Sequence, residues 1–238
     1  LLTAAASARA ATVWTPARYV SQPGAAATMP QIASTDDGRV AAVWLQVDGS
    51  DTRVVGAVKD PGDSSWTSPT FISPAGESAE RIWLTTGTDG AITATWDNHD
   101  ATPVLETQTL LARDTNWPDP TVIAPVSLLG PEGSLGPVTV ATGPEGVATV
   151  TWSPTRTVRA RSRVPGTRSW TAPLEISGDA DTVYDIGTAF NHAGDGIAVW
   201  HTDYDLKFSR YDATTQTWSE QGVIASFDPY QGDIAAAI

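Results

Sequence analysis

The chain has 238 residues and no cysteine; its length suffices for one large β domain or two small domains with a well-buried core. The net charge of −13, from 27 acidic and 14 basic side chains, disfavours nucleic acid and anionic membrane surfaces as partners. The lack of cysteine excludes disulfides, thiolate metal sites and thiol nucleophiles, but it leaves the cellular compartment open.

Residues 1–11 admit two interpretations. An apolar start followed by Ala8, Arg9 and Ala10 resembles the end of a secretion signal, with cleavage before Ala11. The same residues are equally suited to the outer strand and hairpin of a repeat that begins before Leu1. No apolar run reaches the roughly 18 residues needed to span a bilayer, so we expect no membrane insertion of residues 12–238.

One short phrase recurs five times along the chain. It consists of Trp, a few polar residues and then β-branched or apolar residues, as in SWTSPTFIS and SWTAPLEIS, and it is centred on Trp14, Trp66, Trp117, Trp170 and Trp218. Successive separations are 52, 51, 53 and 48 residues. A second series ends short alternating segments such as RVAAVW and AITATW, at Trp44, Trp96, Trp152 and Trp200. A period near 50 residues, built from short strands, indicates the blades of a β-propeller.

Each repeat contains the elements of four strands. An inner strand such as PQIAST meets a tight turn whose glycine allows positive φ, and a second strand then leads to the Trp. The turn glycine lies six residues before its Trp in all four repeats, at Gly38, Gly90, Gly146 and Gly194. An even spacing keeps the Trp on the same face of every second strand. A third strand and another hairpin lead to the outer strand that carries the repeated phrase.

The spacing predicts four complete blades and a fifth that is split between the two ends. The outer-strand Trp precedes the next turn glycine by 24 residues in three repeats and by 29 in the other. Counting 24 onward from Trp218 leads past Ile238. We therefore predict an all-β protein in which residues 12–238 form a β-propeller of four-stranded antiparallel blades. A longer parent chain with further domains would complete the fifth blade; the alternative is a ring that closes without its second strand.

The hairpin before each outer-strand Trp carries a resemblance to a known family. KDPGDSSW places Asp60, Gly62 and Trp66 close to the pattern S-x-D-x-G-x-x-W, although the spacing differs by one residue, and RDTNW and VPGTRSW retain less of it. The repeat resembles bacterial secreted β-propellers with sialidase-type, Asp-box blades. This resemblance covers about residues 12–238 and implies the fold and an extracellular location, but fold alone does not carry activity.

Trp83 is the one Trp outside the two repeat series. It stands on an inner strand seven residues before Gly90, where the other repeats have Gln31, Thr139 and Gly187. An indole face can stack on a sugar ring, so Trp83 is a candidate ligand contact. Packing between blades is the alternative, and it is the interpretation that we favour for the other nine.

Catalytic patterns are weak in this sequence. The sialidase resemblance would require an arginine cluster, a Tyr with a Glu and an R-I-P motif, but ERIW lacks the Pro and no Tyr–Glu pair is evident. Arg159, Arg161 and Arg163 share one face of a third strand, which we expect to be a solvated face with nearby carboxylates. Asp185 and Asp233 begin inner strands. No paired-histidine metal motif, P-loop or G-x-S-x-G occurs, so a non-enzymatic function is favoured.

Loops on one face supply the remaining candidate ligand contacts. The second-to-third-strand loops DNHDATP and HTDYDL and the blade connection SFDPYQGD combine acids, histidines and tyrosine. The predicted ligand-binding residues, together with Trp83, are Asp97, His99, Asp100, His201, Asp203, Tyr204, Asp205 and Tyr230. Their carboxylates could accept hydrogen bonds from sugar hydroxyls; ordinary turn chemistry is the alternative. We predict no cofactor, with calcium held by these acids as a weaker alternative.

These features favour an extracellular recognition module that binds a glycan or a glycosylated cell surface through one rim of loops, within a larger secreted protein. A protein-docking scaffold, whose acidic rim meets a basic partner, is the first alternative. A sialidase-like glycoside hydrolase is the second. Competition by free sugar would indicate recognition of a glycan, and strong salt dependence without such competition would indicate protein docking.

Overall fold

The computed structural model describes residues 16–98, 104–124, 136–143, 147–154, 156–178 and 181–226, and all regular elements in these ranges are β-strands. No helix in the described ranges is long and apolar enough to cross a membrane. Most of the predicted split fifth blade, including Trp14 and Asp233, lies outside the described residues. Residues 16–20, which end the repeated phrase around Trp14, are described and form no strand.

Four antiparallel sheets follow one another along the chain, and the first four strands of each sheet lie in sequence order. Blade 1 contains β1 (Ala27–Ser34), β2 (Val40–Asp48), β3 (Asp51–Lys59) and β4 (Thr70–Phe71). Blade 2 contains β5 (Ala79–Thr86), β6 (Ile92–Asn98), β7 (Val104–Leu110) and β8 (Thr121–Ala124). Blade 3 contains β9 (Val138–Thr142), β10 (Ala148–Trp152), β11 (Arg159–Ser162) and β12 (Leu174–Glu175). Blade 4 contains β13 (Asp185–Phe190), β14 (Gly196–His201), β15 (Asp205–Asp212), β16 (Thr217–Trp218) and β17 (Gly222–Ser226).

The first strands of successive blades contact one another, β1 with β5, β5 with β9 and β9 with β13. Threonine hydroxyls connect them: Thr86 Oγ1 donates to the Ser34 carbonyl at 3.1 Å, and Thr142 Oγ1 donates to the Thr86 carbonyl at 2.7 Å. The four blades are therefore arranged around a common axis. The predicted all-β propeller of four-stranded blades is confirmed.

The second-strand Trp residues form the centres of the contacts between blades. Trp96 packs among Val43, Leu45 and other apolar residues of blade 1, and it is 1% exposed. Trp152 packs in the same way against blade 2, and Trp200 packs against blade 3. Because the even spacing from the turn places each Trp on the same face, blades 2, 3 and 4 each bury their Trp against the blade before them. The prediction of inter-blade packing is confirmed for these three residues.

A proline lies directly before the outer-strand segment that pairs in blades 1, 2 and 3. Pro69, Pro120 and Pro173 precede β4, β8 and β12, which have two, four and two residues. Proline cannot donate a ladder hydrogen bond, so it is tolerated only at such an edge. Blade 4 has Gln221 at the corresponding position, and there the second segment, β17, extends over five residues and pairs with β15.

Alternate connections between strands lie on opposite faces of the propeller. The hairpin face carries the turns between the first and second and between the third and fourth strands of each blade. Its first turns contain Gly38, Gly90 and Gly194 at φ of +89°, +73° and +95°, as the turn pattern predicts. The loop face carries the loops between the second and third strands and the connections between blades. The predicted ligand contacts in the loops belong to the loop face.

Candidate functional site

The clearest candidate site on the loop face lies in blade 4, where Tyr184 meets the loop between β14 and β15. The backbone N–H of Tyr184 donates to the His201 carbonyl at 3.0 Å, which extends the pairing of β13 with β14 by one residue. The two rings lie 5.8 Å apart at an angle of 45°. The Tyr184 hydroxyl donates to Asp203 Oδ1 at 2.5 Å. The structure therefore brings His201 and Asp203 together through Tyr184.

A tight turn presents the tip of this loop to solvent. The Thr202 N–H donates to the Asp205 carbonyl at 2.9 Å, and the Asp205 N–H donates to Thr202 Oγ1 at 3.2 Å. Asp203 and Tyr204 occupy the middle of the turn. Tyr184 is 56% exposed and Tyr204 is 55% exposed, although both side chains are large and partly apolar. We call Tyr184, His201, Asp203 and Tyr204 the blade-4 cluster.

Asp205 differs from Asp203 because its carboxylate is occupied by other groups of the protein. Ser226 Oγ donates to Asp205 Oδ1 at 2.7 Å, which attaches β17 to the start of β15. The buried Lys207 ammonium lies 3.6 Å from Asp205 Oδ2 and 3.7 Å from Asp181 Oδ2. Of the two predicted acids in this loop, Asp203 is therefore the better placed to meet a ligand.

The hydrogen bond to Asp203 raises the pKa of Tyr184 above its ordinary value, and the negative charge of Asp203 acts in the same direction. Tyr184 consequently stays protonated and donates a hydrogen bond. An activated phenolate nucleophile requires the opposite shift. Sequence reasoning missed this pair because its members are 19 residues apart on different elements; only the strand register, in which Asp185 pairs with His201, brings them together.

In blade 2, Asp97 supports an arginine rather than facing solvent. A β-bulge between Ala79 and Ile82 turns Arg81 toward Asp97. The backbone N–H and Nε of Arg81 each donate to one Asp97 carboxylate oxygen, both at 2.6 Å. The side chain of Asp97 has no exposed surface, whereas that of Arg81 is 35% exposed. Asp97, predicted as an exposed loop residue, is therefore the buried partner that holds Arg81.

Trp83 lies on β5 and is half-buried against blade 3. Its neighbours there include Val138, Val140 and Trp152. The Arg81 guanidinium lies 5.4 Å from the centre of the Trp83 ring, and its NH1 also donates to the Gly136 carbonyl at 3.2 Å. Packing between blades, the alternative considered for Trp83, is thus part of its role. Its contact with a ligand stays a prediction.

Two glutamates form a carboxyl pair next to Trp96. Trp96 Nε1 donates to Glu106 Oε2 at 2.9 Å, and Asn98 Nδ2 donates to Glu77 Oε2 at 2.8 Å. Burial, and then the charge of Glu77, raise the pKa of Glu106 to about 7, and Glu77 also hydrogen-bonds to it. Glu106 is buried, and one of its carboxylate oxygens accepts from Trp96, so this pair is part of the packing around Trp96. Sequence reasoning missed this pair, although Glu106 is the one acid at the third-strand position that pairs with the second-strand Trp. The other described blades have Val55, Arg159 and Lys207 there.

The three arginines of β11 and its end do not converge. Arg159 lies 3.9 Å from Glu175, Arg161 NH1 donates to the Ile123 carbonyl at 2.9 Å, and Arg163 is buried against Asp89. The prediction of a solvated face was wrong for Arg163, because the hairpin of blade 2 covers it. Their separate partners agree with the expectation that these residues do not form a substrate clamp.

The remaining predicted residues cannot be placed in this arrangement, because His99, Asp100 and Tyr230 lie outside the described residues. Of the residues that are described, Trp83 and Asp97 both contact Arg81 of blade 2, whereas the contacts among Tyr184, His201 and Asp203 lie within blade 4. Within the same ranges, no three His, Asp or Glu side chains converge as metal ligands.

Comparison with solved structures identifies similar folds. The NanB sialidase of Streptococcus pneumoniae is 9% identical, with a TM-score of 0.55, and the match covers 88% of this chain and 54% of that chain. A protein of unknown function from Dyadobacter fermentans is 12% identical over 89% of this chain and 72% of that chain, with a TM-score of 0.54. An ulvan lyase of polysaccharide lyase family PL25 is 10% identical over 85% of this chain and 56% of that chain, with a TM-score of 0.50.

This chain thus spans about half the length of the sialidase and of the lyase. No protein-family model matches it, and no curated protein matches it. At these identities the likeness concerns the fold, which is that of a sialidase-like β-propeller.

Proposed function

We propose that this chain is the glycan-recognition module of a secreted protein, and that the blade-4 cluster makes the main contact with the glycan. The observation that carries the proposal is the pair of exposed tyrosines, Tyr184 and Tyr204, beside the carboxylate of Asp203. Aromatic faces pack against the C–H faces of sugar rings, and a carboxylate accepts hydrogen bonds from their hydroxyls.

The internal contacts of the cluster favour binding because they orient its side chains in advance. The hydrogen bond from Tyr184 to Asp203 and the ring contact with His201 hold the Tyr184 ring in one place. Little side-chain freedom is then left to lose when a ligand binds. The net charge of −13 opposes anionic sugars. The ligand is therefore a neutral glycan.

The similar folds support a link to glycans without identifying the ligand, since the names of two of them denote a sialidase and an ulvan lyase. Binding without turnover is favoured by two features of the described residues. The raised pKa of Tyr184 disfavours a nucleophilic phenolate, and Glu106 is buried with one carboxylate oxygen bonded to Trp96 Nε1.

The test begins with a glycan array and continues with affinity measurements on the best neutral ligand. Tyr204→Ala and Asp203→Asn should each weaken binding by about threefold to tenfold, which corresponds to about 0.7 to 1.4 kcal/mol. The matched controls are Tyr19→Ala and Asp63→Asn, which alter exposed residues elsewhere, and they should leave affinity unchanged. Equal effects of Tyr204→Ala and Tyr19→Ala would contradict the proposal.

Trp83→Ala tests whether the second candidate residue of the loop face also meets the glycan. A direct stacking contact predicts a loss of affinity of more than about threefold. Thermal unfolding is measured in parallel, with Trp152→Ala as the purely structural comparison, expected to cost about 3 to 5 kcal/mol. If Trp83→Ala lowers stability and leaves the affinity of the folded fraction unchanged, Trp83 belongs to the scaffold alone.

The alternatives give different results in the same experiments. Binding that disappears with added salt, and that free sugar does not compete for, would indicate a docking surface for a basic protein. Turnover of a chromogenic glycoside would indicate a hydrolase. Either result would replace the present proposal.

A further inference from the structure

A pair of hydrogen bonds closes the outer strand onto the third strand in blades 1, 3 and 4. The residue after the outer-strand Trp donates its N–H to a carbonyl of the third strand, and its hydroxyl accepts from the N–H of the same third-strand residue. These distances are 2.8 and 3.0 Å between Thr67 and Val58, 2.9 and 3.1 Å between Thr171 and Ser162, and 2.7 and 3.0 Å between Ser219 and Arg210. We call this pair of bonds the outer-strand clasp.

Blade 2 cannot form the clasp, because Pro118 follows Trp117. Proline has neither an N–H nor a hydroxyl, so both bonds are lost. The Thr109 carbonyl, at the position that would accept from residue 118, instead accepts from Arg168 Nε of the next blade at 3.2 Å. The outer strand of blade 2 begins to pair only at Thr121.

A groove of about 680 Å³ lies beside this open segment, between the outer strands of blades 1 and 2. Residues 70–74 form one wall, and residues 115–120 form the other. The corresponding groove between blades 3 and 4, where Ser219 completes the clasp, measures about 450 Å³. The larger groove has a volume within the range of small-molecule sites. It lies beside the one blade of the four that lacks the outer-strand clasp.

Gln108 contributes an unpartnered acceptor at the base of the groove. The residue is 4% exposed, and its Nε2 donates to the Ile72 carbonyl of blade 1 at 2.5 Å. That bond determines the orientation of the amide, because the opposite orientation would place two acceptors face to face. Oε1 has no hydrogen-bond partner. The polar residues at the equivalent position of blades 3 and 4 have hydrogen-bond partners: Arg161 donates to two carbonyls, and Ser209 donates to the Ser219 carbonyl at 2.8 Å.

The walls combine an aromatic ring with hydroxyl groups and carry little charge. Trp117 is half-buried, and a Cβ on Gly56 would lie only 2.9 Å from its Nε1, so the absence of a side chain at Gly56 lets the indole lie against blade 1. Ser68 and Thr115 supply hydroxyls. Asp119 is the one charged residue among those that line the groove. Such a lining suits a neutral, hydroxyl-rich ring and opposes anions.

We propose that the groove between blades 1 and 2 is a second ligand site, which binds a neutral saccharide ring stacked on Trp117, with a hydroxyl or amide N–H donating to Gln108 Oε1. The site lies at the outer edge of the propeller and is separate from the blade-4 cluster, so it does not depend on the proposed function of the loop face. A buried acceptor left without a partner is costly, and a donor from the ligand removes that cost.

The experiment titrates the intact chain with glucose, galactose and N-acetylglucosamine while recording the indole N–H signals of ¹⁵N-labelled Trp. Trp117→Phe assigns the relevant signal. At least one sugar should shift the Trp117 signal with a millimolar dissociation constant, and the Trp218 signal should not move with the same constant. The loop-face variant Tyr204→Ala should leave this titration unchanged, which separates the two sites.

Pro118→Thr is the decisive variant, because it introduces the residue that forms the clasp in blades 1 and 3. It should raise the melting temperature through two added hydrogen bonds and weaken sugar binding at least tenfold by narrowing the groove. Gln108→Leu should weaken binding to a similar degree. If no sugar shifts the Trp117 signal, or if Pro118→Thr forms the clasp and binds as the parent chain does, the proposal is overturned.

Discussion

The hairpin face and the loop face each hold a carboxylate away from solvent, and these two carboxylates have different partners. On the hairpin face, Asp89 accepts hydrogen bonds from Arg163 at 2.9 and 2.7 Å and from the Gly166 N–H at 3.0 Å, all across the boundary between blades 2 and 3. On the loop face, the buried Glu106 lies next to another acid, Glu77. Asp203 and its Tyr184 partner are exposed to solvent there.

The difference decides whether a buried carboxylate stabilises the fold. A buried charge stabilises a fold only when its partners replace the lost water, and Asp89 satisfies that condition for Arg163. Like charges held together, and rings left in water, lower stability, and such arrangements are common at binding sites. The contrast indicates a structural role for the Arg163–Asp89 pair, and it agrees with the recognition role proposed for the blade-4 cluster.

The largest effect is expected on the hairpin face. Arg163→Ala should lower the free energy of unfolding by about 3 to 5 kcal/mol, because it leaves the partly buried Asp89 carboxylate without its main partner and empties a site that is 1% exposed. Denaturant unfolding measures the change. Arg113→Ala, at an exposed arginine on the same face, is the control and should change stability by less than about 0.5 kcal/mol. Similar losses of stability for the two variants would show that the buried Arg163–Asp89 pair stabilises the fold no more than an exposed arginine does.

An intermediate effect is expected at the Glu77–Glu106 carboxyl pair, where stability should decrease as pH rises. Burial and Glu77 raise the pKa of Glu106 from an ordinary 4.5 to about 7, so the folded state binds more protons than the unfolded state between these values. Stability should therefore fall as pH rises from about 4.5 to 7, by on the order of 2 to 3 kcal/mol. Glu106→Gln should abolish this decline and be more stable than the parent chain at pH 8, as measured by denaturant unfolding at several pH values.

Asp89 should show the opposite pH dependence to Glu106 in the same unfolding experiment. Burial alone would raise its pKa, but the hydrogen bonds from Arg163 and Gly166 outweigh burial and lower the pKa below the ordinary 3.8. The stability it contributes is present above pH 3.8 and is lost as pH falls further. Glu220→Gln, which removes a carboxylate from an exposed position, is the matched control and should retain the decline that Glu106→Gln abolishes. A Glu106→Gln profile parallel to that of the parent chain would show that the carboxyl pair does not titrate as described.

Sequence reasoning succeeded where the repeat determines the structure. Trp96, Trp152 and Trp200 recur at a fixed distance from a turn, so one period-two argument places all three between blades. Sequence reasoning failed for Glu106, because the neighbour of its carboxyl is Glu77, which lies 29 residues earlier in the connection between blades 1 and 2. Tyr184 and Asp203 likewise meet only through strand register. Contacts that occur once, between loops of different length, leave no periodic signal in a single sequence.

The smallest effect is expected where the loop face is most exposed, and it is the sharpest test of the contrast. Tyr184→Phe removes the hydrogen bond to Asp203 and keeps the ring against His201, and Asp203→Asn removes the charge and keeps the shape. Because both groups can hydrogen-bond to water instead, each change should leave the free energy of unfolding almost unchanged. Thermal and denaturant unfolding measure this directly. If either variant loses as much stability as Arg163→Ala, the cluster stabilises blade 4, and its exposed position no longer argues for recognition.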